Sequence, residues 1–395
     1  MTEAESQEAE SQTQDRQAQD GAGTSPVADS PEPGLTGGFV EDFVGDFERR
    51  YPARILETLL ADRTTGRNII WADNEYEALG DGYMGDDEIT VDKISGANSG
   101  VIKPRIAKEA ERQSQRTKSR AEVFTPSWLC NQMNNDLDEV WFGRRDVFNT
   151  EVAGEDGRKT WAPAAGQVAF PTAEGRDWRA YVAAPRLEIT CGEAPFICSR
   201  YDTVTGQALP VDERIGFLDR KLRVVSERTK KRKTWAEQAL AALKATYGFE
   251  YQGDNLLIAR VNVFETFCEH LRERWDEEPT DEELEQAAQV VSWNLWQMDG
   301  FTDAVPTHEL GAVAQSMLTP EQPAPVQETF FDLLFGDDSD DAAPPGAETQ
   351  DAPATVPLCV LYDWENDRPF EFAALKGRSA AMTHSTAQHR GDSTR

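Results

Sequence analysis

Charge is distributed along this chain in a way that limits where a core can form. Residues 1–48 carry twelve acidic residues against one base, Arg16, and residues 276–355 carry nineteen acids with neither Lys nor Arg. These two stretches hold nearly all of the net charge of −31. The remainder is close to neutral, so overall acidity does not exclude a polyanionic partner. Residues 1–36 have too few large apolar groups to offset chain entropy, and read as a disordered acidic tail. Residues 319–355 read as an acidic linker with one apolar island, Phe330, Phe331, Leu333, Leu334 and Phe335. Residues 377–395 read as a polar, disordered tail.

Apolar periodicity fills the rest. Phe39, Phe43, Phe47, Ile55, Leu56, Leu59 and Leu60 recur at helical spacing within a 37–121 extension. There, 64–105 predicts loops with short strands and 106–121 a charged helix. The main domain is 122–318. Pro126 predicts a helix from Ser127. Residues 150–180 predict loops and short strands, and Arg186–Thr190 a strand running into a turn at Cys191–Pro195. Helices are expected at 213–227, 234–246 and 254–275. A capping box at Thr280-Asp-Glu-Glu283 opens another. Residues 356–376 predict a small hairpin.

The five cysteines form no CxxC pair and the four histidines no metal-ligand spacing. The expectation is free thiols in a reducing cytoplasm, with no structural zinc. The N-terminus lacks a signal-peptide plan and no run of 18 apolar residues occurs, so neither secretion nor membrane insertion is expected.

Four motifs follow one another over residues 120–305. The first is Ala121-Glu-Val-Phe-Thr-Pro126. The second is Glu188-Ile-Thr-Cys-Gly-Glu-Ala-Pro-Phe196: a strand ends on an acid, and a glycine lets backbone approach a ligand at the mouth of a sheet. The third begins Tyr247-Gly-Phe-Glu250, an acid closing a strand, and runs into a helix with Ala259-Arg-Val-Asn262. The fourth is an apolar stretch from Val291 ending in Met298-Asp-Gly300. Each also has a plain structural reading: a helix start, a strand-to-turn connection, a turn aspartate.

Their order resembles that of the gamma-class adenine-N6 DNA methyltransferases of restriction-modification systems, of the "restriction endonuclease subunit M" type. The resemblance implies an α/β fold, a doubly wound S-adenosylmethionine-dependent methyltransferase-like sheet with a helical N-terminal extension. It implies that Phe124, Thr125 and Pro126 pack over the cofactor. It places Glu188 on the ammonium group, Cys191, Gly192 and Phe196 in the cofactor turn, Glu250 on the ribose and Asp299 on the adenine. Ile189 and Ala194 depart from the family's proline and second glycine, so the turn is expected to differ. Glu250 lies 62 positions beyond Glu188, against about 20 in ordinary nucleotide folds, which implies an insertion at about 203–245. The rival acid, Asp219, falls in a helical run and reads as solvated.

The family's catalytic Asn-Pro-Pro-Tyr does not occur. The nearest string, Asp367-Arg-Pro-Phe370, places a cation where the target amine must be received. The resemblance therefore implies a cofactor subunit that needs a second polypeptide for catalysis and target recognition, held through the apolar island or the end of the sheet. The alternative is a non-catalytic DNA-binding or assembly subunit of a phage-defence complex that keeps only the fold. Double-stranded DNA is the expected partner on either reading. Lys103, Arg105, Lys108, Arg112, Arg116, Lys118 and Arg120 form one basic cluster. Arg220, Lys221, Arg223, Arg228, Lys230, Lys231, Arg232 and Lys233 form another, and its end, from Arg228 on, is the candidate phosphate-binding stretch. No clear nuclease constellation is found.

Overall fold

A computed structural model describes residues 42–107, 125–154, 159–202, 206–307 and 356–375. Phe124, most of the first basic cluster and the island Phe330–Phe335 lie outside them.

The early apolar spacing gives two helices, α1 (Phe43–Arg50) and α2 (Ala53–Leu60). Pro52 cannot continue the α1 ladder and biases Tyr51 to extended backbone, so the chain bends there. Both bury their apolar stripe. Between 64 and 105 the expected strands reduce to isolated bridges, Ala61–Asn68 and Ile70–Glu88, and a short helix α3 (Val91–Ile94). Helix α4 (Ser127–Phe142) starts where Pro126 predicts and stops at Gly143, whose φ of 68° suits a residue without Cβ. Strands β1 (Asn149–Ala153) and β2 (Lys159–Pro163) form an antiparallel hairpin. Helix α5 (Trp178–Ala183), capped by Asp177, leads into β3 (Arg186–Glu188).

Two helices, α6 (Phe217–Arg228) and α7 (Arg232–Lys244), precede β4 (Thr246–Glu250). Next come the long helix α8 (Gly253–Trp275), α9 (Asp281–Asn294) and β5 (Leu295–Gln297). The Thr280–Glu283 capping box forms in both directions. The hairpin β6 (Val360–Asp363) and β7 (Arg368–Glu371) ends the described chain.

The organisation is α/β. Strands β3, β4 and β5 lie side by side, all parallel, with Glu188 opposite Gly248 and Glu250 opposite Gln297. Residues 206–245 lie on the connection between β3 and β4. They include the crossover that a parallel pair requires, and Phe217, Leu222, Val225, Trp235, Ala239 and Leu243 on it are buried.

Alternation along the strands gives the sheet two faces. One carries Phe249, Trp296 and Met298, which pack with Cys359, Leu361 and Phe372 of the β6–β7 hairpin. The other carries Gly248, where an added Cβ would stand 3.2 Å from Cys191 Sγ and from Ile197 Cδ1. A larger residue at 248 would lift the chain after β3 off the sheet.

Candidate cofactor site at the strand ends

Beyond Glu188 the chain turns back over the sheet. Cys191 N–H donates to Phe249 O at 2.8 Å, and Ala194 N–H closes the turn on Cys191 O at 2.7 Å. Thr190, Gly192 and Ala194 have φ of 47°, 52° and 66°. Ala194 thus holds a glycine-like backbone with a side chain on it, at a cost of roughly 1–3 kcal/mol per strained residue. An added Cβ at Gly192 would meet nothing within 4 Å, so the turn has room for a ligand on that side.

Two carboxylates bracket this turn. Glu188 accepts from Ile197 N–H at 3.1 Å and Phe196 N–H at 3.5 Å, and Glu250 accepts from Gly192 N–H at 2.9 Å and Gln252 N–H at 3.2 Å. Each is 8% exposed. Burial pushes the Glu188 carboxyl well above its ordinary value; the two amides oppose this and the Glu250 charge adds to it. Among the described residues no positive charge compensates Glu188, and a ligand ammonium group would supply one. Burial also pushes up the Cys191 thiol, beside the same two acids.

Helix α4 seats against this turn, since Asn134 Nδ2 donates to Phe196 O at 3.0 Å and Ile215 O at 3.1 Å. Thr125 and Pro126 open that helix, their carbonyls accepting from Cys130 Sγ and from the Leu129 and Cys130 N–H groups. The helix that Thr125 and Pro126 open thus reaches the second motif through Asn134. Asp299 is buried, and its Oδ1 accepts from Phe301 N–H at 2.8 Å, a bond that closes its own turn.

Several residues at this end carried no sequence signal. Gln297, 1% exposed, accepts from Ile70 N–H at 2.9 Å and donates to Ile70 O at 2.8 Å and Tyr251 O at 2.9 Å. It ties residues 69–71 across the start of α8. Trp71 packs against Tyr76 and Tyr83, and Tyr76 Oη donates to Asp254 Oδ2 at 2.7 Å. Glu193 accepts from Arg105 N–H at 2.5 Å and Tyr201 Oη at 2.7 Å.

Asp219 is not the solvated helix residue its periodicity suggests. It is 1% exposed, accepts from Ser199 N–H at 2.9 Å, and pairs with buried His270 at 3.1 Å. Asp219 and His270 line a cavity of about 460 Å³ with the β1–β2 hairpin, Arg223 and Arg274.

The second basic cluster is mostly committed within the fold. Arg220 is buried on Asp138, and Lys221 donates to Ala184 O and Ala245 O, its burial holding the ammonium well below its ordinary value. Arg223 binds Glu227 and backbone carbonyls, Arg228 donates to Val168 O, and Arg232 pairs with Glu277 and Glu283. Lys230, Lys231 and Lys233 are exposed. In the first cluster Arg105 is buried rather than on a surface. The Asp367–Phe370 string turns at the opposite end of the sheet. Trp364 in that turn donates to Asn294 Oδ1 at 2.8 Å, and Asn294 holds Thr246 O at the start of β4.

No family model, curated protein or solved structure matches this chain. Among the described residues, no group of three or more His, Cys, Asp or Glu side chains could hold a metal ion, and no helix is long and apolar enough to cross a membrane.

Proposed function

We propose that this chain binds S-adenosylmethionine and acts as the cofactor subunit of an adenine-N6 DNA methyltransferase of a restriction-modification system. One observation carries the reading. Two acids at the C-terminal ends of adjacent parallel strands flank a positive-φ turn with Gly192 open, where doubly wound sheets receive nucleotide-type ligands. Glu188 would meet the ammonium group, Glu250 the ribose hydroxyls, and the Cys191–Ala194 backbone would lie along the ligand. The cofactor supplies the methyl group when bound. Because the chain has no Asn-Pro-Pro-Tyr, a second subunit would hold the flipped adenine. Lys230, Lys231 and Lys233 would neutralise DNA phosphates.

A second reading keeps the fold without the cofactor, as a DNA-binding or assembly subunit. It is favoured by the amides that both carboxylates already hold within the turn. Calorimetric titration with S-adenosylmethionine separates the two. On the first reading Glu250→Ala loses about 1–3 kcal/mol of binding, the scale for a charged hydrogen bond, whereas Asp219→Asn, folded, binds like wild type. Absence of binding by folded wild-type protein leaves the second reading.

A further inference from the structure

Parallel sheets are normally covered on both faces, because both are apolar. Here the hairpin face is covered unevenly. Over β4 and β5 it is closed by Cys359, Leu361 and Phe372. Towards the β3 edge the cover thins: Ile189, Tyr247 and Phe370 are half-buried, and Leu187, opposite Tyr247 in the register, is 40% exposed. These four side chains continue the core outward as an apolar shelf.

The chain itself holds an apolar segment within reach. Val305 N–H donates to Pro357 O at 3.1 Å. The chain therefore leaves the β5 side of this shelf at Val305 and returns beside the same point at Pro357. Between them lies the island Phe330-Phe-Asp-Leu-Leu-Phe335. Phe330, Leu333 and Leu334 are spaced to share one side of a helical turn, with acidic residues and no base flanking them. Residues 308–329 and 336–355 tether the island at both ends. About twenty residues suffice to span about 25 Å, and the shelf lies two strand spacings from β5, about 10 Å. Such a tether holds the island at an effective concentration of the order of millimolar, which an untethered partner must exceed.

We propose that the apolar island Phe330–Phe335 docks in cis on the sheet shelf formed by Leu187, Ile189, Tyr247 and Phe370. This goes beyond the cofactor reading and does not depend on it. It assigns the island to the chain's own sheet, leaving the end of the sheet for a second subunit.

The test uses full-length protein carrying Leu187→Cys and Leu334→Cys, treated with a short bismaleimide. The five native cysteines are buried and slow to react. The control pair is Val140→Cys with Leu334→Cys, because Val140 is 80% exposed on α4. The expected result is an intramolecular link at least tenfold more abundant for the Leu187 pair and unchanged on dilution. As a second readout, Phe330→Asp with Leu334→Asp should speed amide exchange in residues 187–189 and 247–249 at least tenfold. Both substitutions lie away from the described core, and the circular dichroism should not change. Equal yields for the two pairs would overturn the proposal. So would a link between two chains that fades on dilution, which means a second copy fills the shelf. Unchanged exchange in the double variant would also overturn it, leaving the island for another protein.

Discussion

Gly253→Ala tests whether residues 69–71 are an integral wall of the candidate site. Gly253 opens α8 immediately after the turn that carries Glu250 and Gln252. A Cβ there would fall on the Ile70 carbonyl oxygen, 2.9 Å from Ile70 C and 2.8 Å from Ile89 Cδ1. Because the obstacle is backbone, relief requires the segment around Ile70 to move by an ångström or more. Gln297 holds that segment through two bonds, of 2.9 Å and 2.8 Å, and a shift of that size breaks both. Each bond contributes about 1 kcal/mol, and leaving the buried Gln297 Oε1 without its partner costs about 1–3 kcal/mol more. Alanine recovers up to about 1 kcal/mol of helix propensity. The net expectation is a loss of about 2–4 kcal/mol in urea unfolding. In a Gln297→Ala background the same substitution should cost less, with a coupling of about 1–2 kcal/mol. A loss below about 1 kcal/mol, or full additivity with Gln297→Ala, would refute the wall.

Glu188→Gln should raise the melting temperature at pH 7. Since burial raises the folded carboxyl above its unfolded value, the acid favours the fold below about pH 4.5 and loses that contribution as pH rises through the folded value. The gain should shrink towards pH 4.5, and a lower melting temperature at pH 7 would contradict the assignment. Replacing Lys230, Lys231 and Lys233 with Ala should reduce the slope of log affinity for duplex DNA against log salt by up to about 0.9 for each phosphate no longer neutralised; an unchanged slope makes them a solvated surface. Purified chain alone should transfer no tritiated methyl from S-adenosylmethionine to DNA, and should do so only with an added subunit bearing Asn-Pro-Pro-Tyr. Robust transfer by the chain alone would overturn the two-subunit reading.

What the sequence disclosed was local. The Ser127 helix start, the Thr280 capping box, the strand at Arg186 and the hairpin after residue 356 are all written in short-range signals, and all form. The juxtaposition of Glu188 with Glu250 was anticipated only through the order of the motifs and the resemblance drawn from it, since each acid alone has a plain turn reading. Burial of polar groups was not. Periodicity places Arg220, Lys221 and Asp219 on an ordinary charged helix, yet Asp138, two carbonyls and His270 respectively take them into the interior. Ala194 shows the reverse case: propensity argues against positive φ there, but the Cys191 and Cys198 hydrogen bonds hold it. Gln297 and the wall it anchors join residues more than two hundred positions apart, which no local pattern announces.

The measurement that reaches the central claim most directly is calorimetric titration of S-adenosylmethionine into wild-type protein, Glu188→Gln and Gly192→Val, each checked for folding by its melting curve. Saturable one-to-one binding to wild type is expected, with at least tenfold weaker binding to Glu188→Gln despite its higher melting temperature. Gly192→Val should not bind, since its side chain would occupy the open side of the turn. Equal affinities for all three folded proteins, or no binding to wild type, would contradict a cofactor site at these strand ends.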